Sequence, residues 1–208
     1  MAAAERFLPD PDLTVTELAL VEADAARTFG AIDDADVSGD RLLGVLGGLV
    51  DLDKRLAGSS GRPKKLGELL GPELGFVPLA EEPGSLRAVG LAARYSPFDR
   101  GVERLDPGAF GTFDEPGHIK AAIGFVLHPQ DDGHTLLTCD VRVRATDDDT
   151  RSTLRTTEFL VGPALRHLCR RLLELVKQQA ESSSDGTQDA EGGDRDRDQG
   201  DAGDLDAG

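Results

Sequence analysis

The chain has only two cysteines, Cys139 and Cys169, among 208 residues. Both sit in apolar patterns and neither has a close partner along the sequence, so a disulfide-stapled scaffold is excluded and a reduced, cytoplasmic setting is expected. No apolar run approaches the ~20 residues that a membrane-spanning helix needs. The opening "MAAAERFLPDPD" has no apolar signal core, so nothing in it predicts export. Basic charge is scarce as well: 23 Lys and Arg stand against 39 Asp and Glu, for a net charge of −16. Nucleic acid and anionic membrane surfaces, which reward clustered cations, are therefore not the expected partners.

Chemical signatures are equally sparse. There is no nucleophile elbow and no glycine-rich phosphate loop ending in Lys-Ser or Lys-Thr. "GVLGGL" has the wrong spacing for a dinucleotide fingerprint and no strand before it, so no cofactor is expected. "DADVSG", Asp34 to Gly39, begins like a calcium loop, but the twelfth position is Val45 where a bidentate Glu is required. It reads as an acidic loop near a helix end. His118, His128, His134 and His167 show no metal-ligand spacing, so no metal site is expected.

What is present is a patterned body and a tail. From Ser182 onward the chain holds nine acidic residues, two basic ones and a single large apolar residue, Leu205. Such a segment buries too little to offset the entropy of ordering, and a disordered acidic tail over 182–208 is expected. Residues 1–12 read as an N-terminal extension, and 13–181 are long enough for one sizeable core.

Within the body, "LTVTELALV" (Leu13–Val21) reads as a strand. A helix follows, capped by Asp24, with Ala26, Phe29 and Ile32 on one face. Leu42, Leu43, Leu46, Leu49, Val50 and Leu56 predict a second helix, made irregular by Gly44, Gly47 and Gly48. "LGELLG" predicts a further turn. "FVPLAEE" and "LRAVGLAARY" flank a Pro-Gly-Ser turn as a hairpin, and a short strand is expected near Phe110 to Phe113. "HIKAAIGFVLHP" and "HTLLTCDVRVRAT" flank "QDDG" as the clearest hairpin. In its second strand Leu137, Cys139, Val141 and Val143 alternate with Thr138, Asp140, Arg142 and Arg144, so one face is buried and one wet.

The most legible stretch comes last. Leu165, Leu168, Cys169, Leu172, Leu173 and Val176 follow i, i+3, i+4, i+7, i+8 and i+11, with a helix starting at Pro163. Burying that stripe is worth roughly 8–15 kcal/mol, at about 1.5–3 for each large side chain. The one-sided sheet is the surface left to receive it.

This order of elements resembles the helix-grip fold, an α+β arrangement of a curved antiparallel sheet around a long C-terminal helix. It is that of the START-related superfamily also labelled SRPBCC or polyketide cyclase/dehydrase. Three segments look like its actinobacterial-type branch: "FDEPGHIKAAIGFVLHP", "GHTLLTCDVRVRATDDDTR" and "RTTEFLVGPALRHLCRRLLELVKQQAE". The second is carried by Thr135, Leu137, Thr138, Arg142, Val143, Ala145, Thr146 and Asp147. The resemblance implies a small apolar or amphiphilic ligand held between sheet and helix, and in a minority of members cyclisation or aromatisation there.

On the residues themselves, Tyr95 is in phase with Val89, Leu91 and Ala93, and these are modest in size, as are Ala121, Ala122 and Gly124. Small residues on a concave face leave room for a cavity, and they equally suit close packing of helix on sheet. Val89, Leu91, Ala93, Tyr95 and Phe110 are the expected ligand-binding residues on the first hairpin and the irregular segment. Ala121, Ile123, Phe125, Leu168 and Leu172 are expected opposite them. Arg94, Asp114, Glu115, His118 and Lys120 lie near strand ends, where they either orient a head group or solvate the sheet. Three functions stay open: a binding protein, a cyclase- or dehydratase-type enzyme using Tyr95 or a carboxylate as acid or base, and a ligand-free interaction module.

Overall fold

β1 (Leu13–Val21) lies at the edge of an antiparallel sheet with β6 (Thr135–Ala145), followed by β5 (His118–Pro129), β3 (Leu86–Arg94) and β2 (Val77–Glu82). A sixth, two-residue strand, β4 (Val102–Glu103), pairs with the end of β3. The structure is a computed structural model and describes residues 3–39, 63–96 and 101–188. The second helix expected over Leu42 to Leu56 lies outside the described residues.

Both hairpins form where turn chemistry asks for them: Gly84 and Gly133 adopt φ of 72° and 79°, which a residue with a Cβ resists. The period-two pattern then sorts the faces. Leu137, Cys139, Val141 and Val143 point to the concave side and are buried. Cross-strand rows run through them, Leu13–Val143–Ala121–Leu91 and Val15–Val141–Ile123–Val89. α1 (Ala25–Asp34) is capped as expected, Asp24 Oδ1 accepting from the Arg27 amide at 2.9 Å, and adds Ala31 and Ile32 to the same core. α2 (Leu66–Leu69) is the single turn read from "LGELLG".

α3 (Asp148–Gln188) lies across the concave face, and every residue of the expected stripe is buried there. This is the helix-grip α+β fold. The helix starts fifteen residues earlier than Pro163, which corrects the sequence reading. Asp147 provides the start, its carboxylate accepting from the Thr150 amide (2.9 Å) and hydroxyl (2.7 Å). Pro163 has no N–H for the Phe159 carbonyl, but it sits on an exposed stretch with Phe159 and Leu160, between the buried anchors Leu154 and Leu165. Anchors on both sides hold the helix through the defect. At the other end α3 passes Ser182, and residues 189–208 lie outside the described ones.

The convex face carries its own small core. Ala4, Leu8, Val77, Phe110 and Ala122 are buried together there, so the segment before β1 packs on the sheet. The strand expected near Phe110 is a correction too: Pro107–Ala109 form a 3-10 turn and Phe110 follows it as an anchor.

Candidate functional site

Between α3 and the concave face lies an apolar cavity of about 50 Å³. Its position follows from side-chain size in adjacent rows. Ala93 stands opposite Ile119, and Leu91 opposite Ala121, which in turn faces Val143. Two alanines on the diagonal of a closely paired sheet leave a recess where larger residues would close it. Leu154, Val161, Leu165 and Leu168 of α3 roof the recess, and Phe76 and Val141 complete its wall with Ile123.

Among the described lining residues, one has a polar side chain. Tyr95, just past β3, is held by its amide on the Gly117 carbonyl at 2.9 Å. Its hydroxyl lies 2.7 Å from Thr157 Oγ1 on α3. Thr157 Oγ1 in turn donates to the carbonyls of Thr153 and Leu154, at 3.0 and 3.1 Å.

Of the residues expected here, Leu91, Ala93, Tyr95, Ala121, Ile123 and Leu168 stand on the cavity wall. Val89, Phe125 and Leu172 belong to the same core without lining the space. Phe110 is on the other side of the sheet with Ala122, so it cannot line the cavity. A Cβ at Gly90 would strike its ring, which fixes the side it occupies. Ile119, Val141, Val143 and Leu165 are visible in the sequence on the right periodic faces. Leu154 and Val161 are hidden there because the local pattern starts the helix at Pro163, and nothing in the sequence marks Phe76.

The strand-end polar residues do not reach the cavity. Lys120 is on the convex face, donating to the carbonyls of Phe110 and Gly111 at 3.0 and 3.1 Å, with its ammonium pKa lowered chiefly by burial. His118 is buried among the carbonyls of Glu115 and Pro116 and the Glu103 carboxylate, and Arg94 pairs with Glu103. Together these groups fasten the irregular segment to the sheet. Among the described residues, no group of three or more His, Cys, Asp or Glu side chains is placed to hold a metal ion.

Tertiary structure also brings Cys139 and Cys169 together across the sheet–helix boundary, thirty residues apart in sequence. Both are fully buried, and the Cys139 thiol is pushed well up by its hydrogen bond to Cys169 and by burial. A thiol so protonated is a core residue and not a nucleophile. Two larger hollows, one beside Pro72 to Pro78 and one between β1 and Phe159, are open surface grooves and enclose nothing. Among the described residues, no helix is long and apolar enough to cross a membrane.

No protein-family model matches the sequence, and no curated protein matches it. Solved structures align over most of the chain. A protein from Thermus thermophilus is 14% identical, covering 83% of this chain and 99% of its own, with a TM-score of 0.33. A conserved protein from Geobacillus kaustophilus is 12% identical, covering 82% and 97%, with a TM-score of 0.44. The Zhui aromatase/cyclase from Streptomyces sp. R1128 is 16% identical, covering 83% and 95%, with a TM-score of 0.28.

Proposed function

We propose that the protein binds a small apolar or amphiphilic molecule between the sheet and α3. The observation that carries this is a cavity walled by hydrocarbon, with the Tyr95 side chain the one polar group among the described lining residues. Apolar pockets with a few placed polar groups are the usual form of small-molecule sites. At about 50 Å³ the space exceeds the ~10–15 Å³ that one water needs and falls far below the ~300 Å³ at which ligand pockets for drug-sized molecules begin. The ligand is therefore short, or inserts only its apolar end.

The enzyme reading is weaker. Cyclisation or dehydration needs an acid and a base facing the substrate, and among the described residues no carboxylate, histidine or lysine stands on the cavity wall beside Tyr95. The small volume favours one other reading, a closed core in an interaction module. Our reading also keeps one domain over 13–181 with an acidic tail after it, in the cytoplasm, and places the chain in the actinobacterial-type branch on "GHTLLTCDVRVRATD".

The test pairs native mass spectrometry of the purified full chain with titration by a small apolar probe, 2-chlorobutane, followed in ¹H–¹⁵N spectra. Binding in the parent, lost in Ala93→Val with stability retained, supports the site. A parent that carries no extra mass and binds no probe has a closed core, and the interaction module then replaces our reading.

A further inference from the structure

Hydrogen-bond bookkeeping at the Tyr95–Thr157 pair narrows the ligand class. Thr157 Oγ1 has one proton, and it faces two carbonyls that only accept, those of Thr153 and Leu154. With that proton spent on the helix, the 2.7 Å contact to Tyr95 is satisfied when the tyrosine hydroxyl donates to Thr157 Oγ1. The Tyr95 oxygen is then left as an acceptor on a residue of the cavity wall, and no donor among the described residues is hydrogen-bonded to it. Among the described residues, no cationic side chain lines the cavity to meet a carboxylate, and no anionic one to meet an amine. A charge carried into that space is strongly penalised.

We infer that the ligand is a neutral molecule that donates a hydrogen bond to the Tyr95 oxygen, an alcohol or another neutral hydroxyl compound, and not a carboxylate such as a fatty acid. This rests on the binding reading above and goes beyond it in naming the chemical class. Tyr95 is then the residue that sets specificity, and Thr157 the residue that sets its donor–acceptor sense.

The experiment titrates the full chain with four probes of similar size: 2-butanol, butanone, 2-chlorobutane and butyrate. Dissociation constants come from ¹H–¹⁵N shifts around Ala93 and Leu168. Both 2-butanol and 2-chlorobutane are expected to bind, and butyrate is not. A neutral hydrogen bond is worth about a fivefold change in affinity, so Tyr95→Phe should lower the preference for 2-butanol over 2-chlorobutane by about that factor. Thr157→Val leaves the Tyr95 proton without its acceptor and should shift preference from 2-butanol toward butanone. If 2-chlorobutane binds but the preference is the same in Tyr95→Phe, or butyrate binds as tightly as 2-butanol, the class is wrong while the apolar site stands. If no probe binds, the site and the class fall together. Should Tyr95→Phe fail to fold, Thr157→Val decides alone: no gain for butanone overturns the inference.

Discussion

Gly90 makes the space that the Phe110 ring fills. A Cβ built at position 90 would stand 2.7 Å from Phe110 Cε2 and 3.1 Å from Leu79 Cδ1, on the convex side of β3. The irregular segment is therefore anchored by a ring lying on bare backbone. We expect Gly90→Ala to cost about 1–3 kcal/mol as overpacking. Phe110→Leu in the same chain should recover part of that loss. Chemical denaturation of the single and double variants measures it, and a Gly90→Ala protein as stable as the parent would contradict the packing.

The Asp147 carboxylate joins the start of α3 to the β5 end of the sheet. It accepts from Thr150 and, at 2.6 Å, from the Gly117 amide. The Thr150 amide first, and the Gly117 amide next, hold its pKa well below the ordinary carboxylate value. A depressed folded pKa gives stability that is present above the unfolded value of about 3.9 and is lost as pH falls through the folded one. Asp147→Ala should cost about 0.5–2 kcal/mol at neutral pH. The gap between parent and variant should narrow below about pH 4, as melting curves in acidic buffers will register. A gap constant with pH would count against the cap.

Adjacent positions on α3 face opposite environments. Leu172 is 1% exposed, while Arg171 pairs with Glu174 at 2.8 Å on the outer side. Leu172→Asp places an unpaired carboxylate in the core and should destabilise by more than about 4 kcal/mol or prevent folding. Arg171→Asp loses an exposed pair and should stay within about 1 kcal/mol. Equal effects in circular dichroism melts would sink the assignment of faces.

Cavity size grades substitutions at Ala93. Valine adds two methyl groups against a recess of about 50 Å³ and should be neutral or stabilising, because the lining regains dispersion contacts. Phenylalanine adds a whole ring and should overpack, at about 1–3 kcal/mol. Differential scanning calorimetry of the two variants tests this order. Valine as costly as phenylalanine would mean that no such space exists.

Patterning alone determined the five longer strands, both hairpins, the α1 cap and the buried stripe of α3, because those features are written within one short window of sequence. Ala93, Ala121, Leu91 and Tyr95 were visible as candidates for the same reason: they share a strand face. Which face was another matter for Phe110, whose side of the sheet depends on contact with Gly90, twenty residues away. The start of α3 was masked by Pro163, since a local rule starts the helix there, while Asp147, Leu154 and Leu165 keep it intact through contacts with other elements. The meeting of Cys139 with Cys169, and of Tyr95 with Thr157, needed the helix laid across the sheet. Short-range periodicity says which way a side chain points; what it then touches is decided by residues far along the chain, and so only by the fold.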